Sequence, residues 1–233
     1  MKPLLLTLVL VCAIAGPALA ASTPGCIAIV GPGSVGGTLG QRWGNAGYPI
    51  VYGSRTPEAP RVQEIVRKSG ANARATTPEQ AAQACNLLLF AVPWEAAETS
   101  IKSLGPLTGK LIMDANNPLT VRDGREIGLP VTDSAAERLQ AWATGAVVVK
   151  AFNTMNWAVM ADPRIAGGPV SVPLSGDNAA AKAQVAELVR VVGLEPVDVG
   201  PLRTARYTEH MALLYVSMSL RGAAHEFYLR PRK

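Results

Sequence analysis

The sequence contains few of the side chains that build metal clusters, and its charges are not concentrated in any one stretch. Two histidines and three cysteines among 233 residues are too few and too dispersed for a zinc cluster. The 22 Lys and Arg against 17 Asp and Glu give a formal net charge of +5. These cations are scattered, whereas a nucleic-acid-binding protein usually collects them in a stripe. We therefore expect no metal site and no nucleic-acid partner.

The chain also lacks a second long apolar run after its first twenty residues. Residues 1–20 combine one cation, Lys2, with an apolar stretch over 4–15 and small residues at 18 and 20, which is the layout of a secretory signal peptide. Cleavage is expected after Ala20, and an uncleaved N-terminal anchor is the alternative. No later segment approaches the length of a spanning helix. The cleaved chain is therefore expected to have no membrane span and to be periplasmic or secreted.

Hydrophobic residues are plentiful, at 48%, and they fall into alternating strand-like and helix-like segments. Seven apolar runs are continuous, as in strands of a parallel sheet that is buried on both faces: 26–30, 49–52, 86–92, 111–114, 147–152, 170–174 and 196–199. Between them lie helix-like stretches, several opened by proline: 34–46, 57–68, 78–84, 94–104, 133–143 and 178–192, with a last helix over 204–225. Residues 117–130 are turn-rich and are predicted to form a loop. The pattern predicts one α/β domain over residues 21–233, a doubly wound Rossmann-type parallel sheet with a C-terminal helix.

A glycine-rich turn follows the first predicted strand. Gly31, Gly33 and Gly36 form a G-x-G-x-x-G pattern between a strand and a helix. In a dinucleotide-binding fold the first glycine makes the tight turn, the second lets the backbone approach the pyrophosphate, and the third lets helix and strand pack closely. A purely structural turn is the alternative. The strand–turn–helix context favours a dinucleotide site.

The end of the second predicted strand indicates which dinucleotide is bound. An NAD-binding chain usually has an acidic residue there to hold the ribose hydroxyls. This chain instead has Ser54 and Arg55 after Gly53. A guanidinium can donate two hydrogen bonds to one phosphate. We therefore predict NADP(H) rather than NAD(H), with a solvated surface cation as the alternative interpretation of Arg55.

Two cysteines remain after the predicted cleavage, Cys26 and Cys85. Both begin predicted strands that should be neighbours, so a disulfide is geometrically feasible in an oxidising compartment. Bridges between adjacent parallel strands are easily strained. Two small buried thiols are therefore the expected state.

Five ordered motifs give the chain a resemblance to a known family. It resembles the coenzyme F420-dependent NADP oxidoreductases, and it is also similar to the reductase domain of the six-transmembrane metalloreductases and to the N-terminal part of pyrroline-5-carboxylate reductases. The motifs lie over about residues 27–220, and they are GPGSVG at 31–36, GSR at 53–55, AVPW at 91–94, DANNP at 114–118 and KAFNT at 150–154.

The resemblance implies an enzyme in which NADPH lies across the strand ends and passes hydride to a flavin-like or deazaflavin ring stacked on its nicotinamide. Carried over by motif, the cofactor-binding residues fall into three groups. Those of the glycine loop are Pro32, Gly33, Ser34 and Val35, which would face the pyrophosphate, with Gly31 and Gly36 shaping the turn and the helix packing. Those holding the 2′-phosphate are Ser54 and Arg55. In the third group, Ala91, Val92 and Pro93 would line the ribose or nicotinamide, and Asn116 and Ala151 would lie near the nicotinamide, with Asn153 close by.

Two functions remain open from the sequence. The first is an NADP(H)-dependent oxidoreductase with a small-molecule electron acceptor, in which positioning two rings supplies most of the catalysis, so no catalytic side chain is named. The second is an exported NADP-binding module with lost or altered activity, because NADPH and deazaflavins are mainly cytoplasmic. A second copy of the chain is the other partner considered. Trp94 and His210 are each interpreted either as ligand contacts or as structural residues.

Overall fold

The strands form one large sheet and a small separate hairpin. The computed structural model describes residues 25–122, 126–222 and 226–231, so the predicted signal peptide lies outside the described residues. The strands are β1 (Ile27–Val30), β2 (Ile50–Gly53), β3 (Ala73–Thr76), β4 (Leu87–Phe90), β5 (Leu111–Asp114), β6 (Thr120–Arg122), β7 (Glu126–Gly128), β8 (Val147–Lys150), β9 (Ser171–Ser175) and β10 (Glu195–Gly200). β6 and β7 pair only with each other, and the other eight form the large sheet in the order β3-β2-β1-β4-β5-β8-β9-β10.

The strand order creates a crevice beside β1. The chain moves outward from β1 through β2 to β3, then returns to the other side of β1 with β4. All pairings in the large sheet are parallel except the single contact between β8 and β9, where Lys150 lies opposite Ser175. In doubly wound sheets, ligands bind outside the carboxyl ends of the strands, where the order reverses. That point lies here between β1 and β4.

Helices cover both faces of the sheet. They are α1 (Ser34–Asn45), α2 (Pro60–Lys68), α3 (Pro78–Ala84), α4 (Ala97–Lys102), α5 (Ala135–Trp142), α6 (Trp157–Ala161), α7 (Ala179–Val191) and α8 (Ala205–Leu220). Successive side chains of β1 enter different cores, because Ile27 and Ile29 pack with α1 and α7 whereas Ala28 and Val30 pack with α3 and α4. The predicted doubly wound Rossmann fold with a C-terminal helix is confirmed.

Three elements were not predicted from the sequence. β3 is a half-buried edge strand with a polar composition, so it lacks the continuous apolar run that marks the inner strands. α6 has only five residues, and its one sequence signal is Asn156, whose side chain accepts the Ala158 N–H. The predicted loop over 117–130 contains the β6–β7 hairpin.

The C-terminal helix is shorter than predicted. α8 ends at Leu220, whereas the prediction placed the end at residue 225. Gly222 has a φ of +74° and donates its N–H to the Ser219 carbonyl, a left-handed termination that glycine favours. Residues 223–225 lie outside the described part of the chain.

The expectation of two free thiols was wrong, because Cys26 and Cys85 form a disulfide with Cα atoms 5.4 Å apart. Each cysteine lies just outside the paired segment of its strand, since the ladder begins with Ile27 opposite Leu87. At that position the Cα separation of the two residues is normal for disulfides.

Among the described residues, no helix combines the length and the apolar character needed to cross a membrane. In the same residues, no three His, Cys, Asp or Glu side chains are grouped so that they could hold a metal ion.

Candidate functional site

The glycine loop after β1 has three glycines with three different environments. Gly31 has a φ of +95°, and a Cβ there would overlap the Ala91 carbonyl. A Cβ on Gly36 would overlap the Gly31 carbonyl and lie 2.9 Å from the Ile29 side chain. A Cβ on Gly33, in contrast, would meet no protein atom within 4 Å. Tight packing accounts for glycine at 31 and 36, and open space beside the backbone distinguishes Gly33.

The helix that follows this loop begins without a cap. Gly33 is the N-cap residue of α1, no side chain caps the helix, and its first turn has no acidic residue. The first N–H groups of a helix have no partner within it, so those of Ser34 and Val35 are available to an anion. The positive end of the helix dipole reinforces this preference. These are the N–H groups to which the sequence prediction assigns the pyrophosphate.

The end of β2 brings the predicted phosphate-binding pair beside the glycine loop. Val30 and Gly53 are register partners, so Ser54 and Arg55 continue next to the loop. Ser54 is buried and its hydroxyl accepts the Thr56 N–H at 3.2 Å, while Arg55 is exposed. A fixed hydroxyl and a solvent-facing guanidinium thus lie at one rim of the crevice.

A second guanidinium, missed by the sequence interpretation, reaches the same rim. Arg61 in the first turn of α2 donates a hydrogen bond to the carbonyl of Pro32, with 3.2 Å between the nitrogen and the oxygen. Its only sequence signal was that a cation follows shortly after Arg55, and this does not by itself indicate that the side chain lies close to the glycine loop. Arg55 and Arg61 are the charges that could neutralise a phosphate beside the loop.

The opposite rim is formed by the end of β4. The Ala91 N–H donates to the Val30 carbonyl, which places this segment against the glycine loop. Ala91 and Val92 are half-buried, and Pro93 is exposed. Trp94 stacks on Trp142 with 5.6 Å between ring centroids, so its ring belongs to the core under α4 and α5.

Two asparagines join the ends of β5 and β8 across the floor of the crevice. The side-chain amide of Asn117 donates to the Asn153 carbonyl, and Asn153 donates its own amide N–H to the Asn117 side-chain oxygen, each at 3.0 Å. Because the Asn153 carbonyl can only accept, both amide orientations are fixed. The Asn153 side-chain oxygen is consequently left buried without a partner. Asn116 is buried beside this pair, and Ala151 has no exposed surface.

A buried ion-pair network lies beneath these asparagines. Lys150, at the end of β8, contacts Asp114 Oδ2 at 2.9 Å and Glu209 Oε1 at 2.7 Å, and all three side chains are at most 1% exposed. Burial opposes the charge of Lys150, but the two carboxylates outweigh it and raise the pKa of the ammonium. Burial raises the pKa of Glu209 more than Lys150 lowers it. The sequence signal was an Asp and a Lys, each ending an otherwise apolar strand. Only the fold adds Glu209.

His210 lies one residue beyond Glu209 on α8. It is exposed, and its Nδ1 donates to the carbonyl of Arg206 at 2.6 Å. A hydrogen bond within its own helix accounts for the orientation of its ring.

The glycine loop and the strands up to β5 match a family model. Residues 26–118 match the model described as NADP oxidoreductase coenzyme F420-dependent. The metalloreductase STEAP3 of Rattus norvegicus is 31% identical over 191 residues, which cover 80% of this chain and 36% of that protein. This chain therefore spans only about a third of that relative's length.

Solved structures extend the likeness over nearly the whole chain. The crystal structure of a putative F420-dependent NADP-reductase from Arthrobacter sp. FB24 is 30% identical, with a TM-score of 0.80, and the match covers 90% of this chain and 100% of that one. A reductive aminase from Aspergillus terreus, in complex with NADPH and ethyl-5-oxohexanoate, is 22% identical with a TM-score of 0.63. The match covers 86% of this chain and 64% of the aminase, and at that identity the likeness is one of fold.

The five motifs therefore lie within a region that matches a solved relative over that relative's full length. The glycine loop, the ends of β2 and β4 and the loops after β5 and β8 meet at one crevice of a Rossmann fold. The chain belongs to the coenzyme F420-dependent family of NADP-dependent oxidoreductases.

Proposed function

We propose that this chain binds NADPH in the crevice beside β1 and passes hydride from it to a flavin-like or deazaflavin acceptor, as an exported enzyme. When bound, NADPH would supply a hydride, which carries the electron pair, and would leave as NADP⁺; the oxidised acceptor would take up that hydride and a proton from solvent. The observation that carries the proposal is the pair of guanidinium groups, Arg55 and Arg61, beside an uncapped helix N-terminus and the open space at Gly33.

The residues present are compatible with the cofactor. The open space beside Gly33 and the uncapped N-terminus of α1 would receive the pyrophosphate. Ser54 and Arg55 would hold the 2′-phosphate, with Arg61 as a second cation. The segment at Ala91 and the loop at Asn116 would line the ribose and the nicotinamide. The protein's contribution to the reaction is then to hold the nicotinamide against the acceptor and to exclude water from between them.

The first test is the discrimination between the two dinucleotides. Arg55→Ala is expected to weaken NADPH binding by about 10–100-fold, because a charge-assisted hydrogen bond to the extra phosphate is lost. NADH lacks that phosphate, so its dissociation constant should change little. Titration of nucleotide fluorescence on the purified chain measures both constants.

The matched control is Arg67→Ala at the far end of α2, where the guanidinium pairs with Glu64. That variant should bind NADPH normally. Equal affinity of the unmodified chain for NADPH and NADH would remove the basis of the proposal.

The alternative, a module that binds NADP without turnover, is separated by a second assay. NADPH oxidation is followed at 340 nm (the absorbance of its reduced ring) with riboflavin, with a deazaflavin and with ferric citrate, the last because the relative from Rattus norvegicus is named a metalloreductase. The proposal expects turnover with a planar ring acceptor. Tight NADPH binding with no turnover on any acceptor would favour the binding module.

Export through the predicted signal peptide is part of the proposal. The Cys26–Cys85 disulfide supports it, because disulfides persist in oxidising compartments and are rare in the cytosol. N-terminal sequencing of protein recovered from the periplasm should begin at Ala21. Protein retained in the membrane fraction with Met1 intact would instead indicate the uncleaved anchor.

A homodimer is also proposed. Its support is the pair of large exposed apolar side chains Tyr207 and Leu214, which are seven residues apart and therefore lie on one face of α8. Burying such a face against a second copy would remove apolar surface from water.

A further inference from the structure

The buried ammonium of Lys150 lies where two strands and two helices meet. Lys150 and Asp114 are register partners at the carboxyl ends of β8 and β5. Glu209 reaches the same ammonium from α8, and its carboxylate also accepts the N–H groups of Ala135 and Ala136 at the start of α5, at 3.0 and 3.4 Å. One cation thus joins two strands, the C-terminal helix and the start of another helix.

The network also holds the backbone on both sides of Asn116. The Asn116 N–H donates to Asp114 Oδ1 at 3.0 Å, and the Asn116 carbonyl accepts a hydrogen bond from Lys150 Nζ. Asp114 and Lys150 are themselves paired, so the two ends of this residue are clamped by one ion pair. The backbone at Asn116 therefore has little freedom to rotate.

This constraint passes to the floor of the crevice. Asn117 follows directly, and its side chain exchanges two hydrogen bonds with Asn153 from the loop after β8. Lys150 precedes that same loop, so both loops of the asparagine pair start from the ion pair. Phe152, which lies in sequence between Lys150 and Asn153, has a φ of +63°. A bulky residue adopts this conformation only where its surroundings enforce it.

Stability alone does not explain three buried charges. Apolar side chains of similar volume usually stabilise an interior as well as a buried ion pair does, or better, because the charges lose their hydration. Charged groups do, however, fix a geometry through directional hydrogen bonds, as the clamp on Asn116 illustrates. The clamp on Asn116 therefore indicates a geometric role for these charges.

We propose that Lys150 is a positioning residue, whose contacts with Asp114, Glu209 and the Asn116 carbonyl hold the crevice floor in the one arrangement that aligns the nicotinamide ring for hydride transfer. The side chain of Lys150 is itself fully buried. The inference rests on the proposed function, since that function puts the nicotinamide beside Asn116. It adds a specific role for a buried side chain that acts through the Asn116 backbone.

The test compares two variants with a control. Lys150→Met keeps an unbranched side chain and removes the ammonium. The triple variant Lys150→Met, Asp114→Asn, Glu209→Gln removes all three charges, so no carboxylate is left buried without a partner, and it retains an acceptor for the Asn116 N–H. The control is Lys182→Met, which removes a Lys–Asp pair of 2.8 Å between α7 and β10, away from the crevice.

If Lys150 positions the crevice floor, its replacement should affect catalysis much more than NADPH binding. NADPH affinity comes mainly from the phosphates, so the dissociation constant should stay within about 3-fold. In contrast, kcat should fall by about 10–100-fold, because small misplacements of reacting groups are costly. Transfer from NADPH carrying deuterium at either face of C4 should lose stereospecificity, and amide hydrogen exchange should accelerate in the described residues 111–122. The control should change none of these.

A merely structural role gives a different pattern. The melting temperature would then fall while kcat of the folded protein, stereospecificity and loop exchange stay unchanged, and that result overturns the inference, as does unfolding of both variants. If the unmodified chain binds NADPH without turnover, the proposed function fails. The role of Lys150 is then decided by amide hydrogen exchange in residues 111–122 and by the emission spectrum of bound NADPH. Absence of NADPH binding to the unmodified chain would overturn both.

Discussion

Replacing Gly33 by valine is expected to reduce the affinity for both NADPH and NADH by at least about 100-fold, because the side chain occupies the space through which the backbone approaches the pyrophosphate. The fold should survive. Gly33 has a φ of −81° and a ψ of −159°, an extended conformation that valine adopts, and its Cβ would meet no protein atom within 4 Å. Valine is a poorer N-cap than glycine, which should lower the free energy of unfolding by about 1 kcal/mol at most.

The same strand provides a matched control at its other end. Gly25 precedes β1 at the amino edge of the sheet, and a Cβ there would also meet nothing within 4 Å. Gly25→Val should therefore leave both dissociation constants unchanged. Nucleotide titration and urea unfolding on the two variants separate loss of the site from loss of the fold. Normal NADPH binding by Gly33→Val would show that the pyrophosphate lies elsewhere.

Removing the disulfide, with Cys26→Ser and Cys85→Ser combined, is expected to lower the free energy of unfolding by about 4 kcal/mol. The two cysteines are 59 residues apart in sequence, and closing a loop of that length restricts the unfolded chain by about this amount. That is a large share of the roughly 5–15 kcal/mol by which a domain is usually stable. Urea unfolding of the oxidised protein and of the double variant measures the difference.

A reductant provides the control for this effect. Dithiothreitol should lower the free energy of unfolding of the unmodified protein to about that of the double variant. The stability of the variant itself should not change. The bridge links residues at the amino ends of β1 and β4, whereas the proposed cofactor crevice lies at the carboxyl ends. NADPH affinity of the folded double variant should therefore be unchanged. Equal stability in the presence and absence of reductant would contradict the structural role of the bridge.

The proposal of export rests in part on the disulfide. A chain that depends on one long-range bridge is less stable in a reducing cytosol than after export. If the double variant is as stable as the oxidised protein, the argument from the cysteines to an oxidising compartment loses its force. The predicted signal peptide would then be the remaining support for export.

Much of the fold could be predicted because its signals are local. The inner strands are continuous apolar runs, such as Leu87–Phe90, and a strand buried on both faces needs such a run wherever it lies in the sheet. The glycine loop could be predicted because its turn and its close packing require glycines at a fixed spacing. Weakly apolar or short elements, such as β3 and α6, escaped prediction because tertiary packing supports them more than their own sequences do.

The Rossmann pattern, the family resemblance and the residues expected to hold a phosphorylated dinucleotide could be inferred from the chain alone, since each depends on a short stretch of residues. The three-dimensional fold was needed to show that Cys26 bonds to Cys85, that Arg61 reaches the glycine loop, and that Glu209 joins Asp114 at the ammonium of Lys150. These contacts join residues far apart in sequence, and each depends on distances of a few ångströms between elements. Hydrophobic periodicity specifies which face of an element is buried, but not which polar side chain meets which across the sheet.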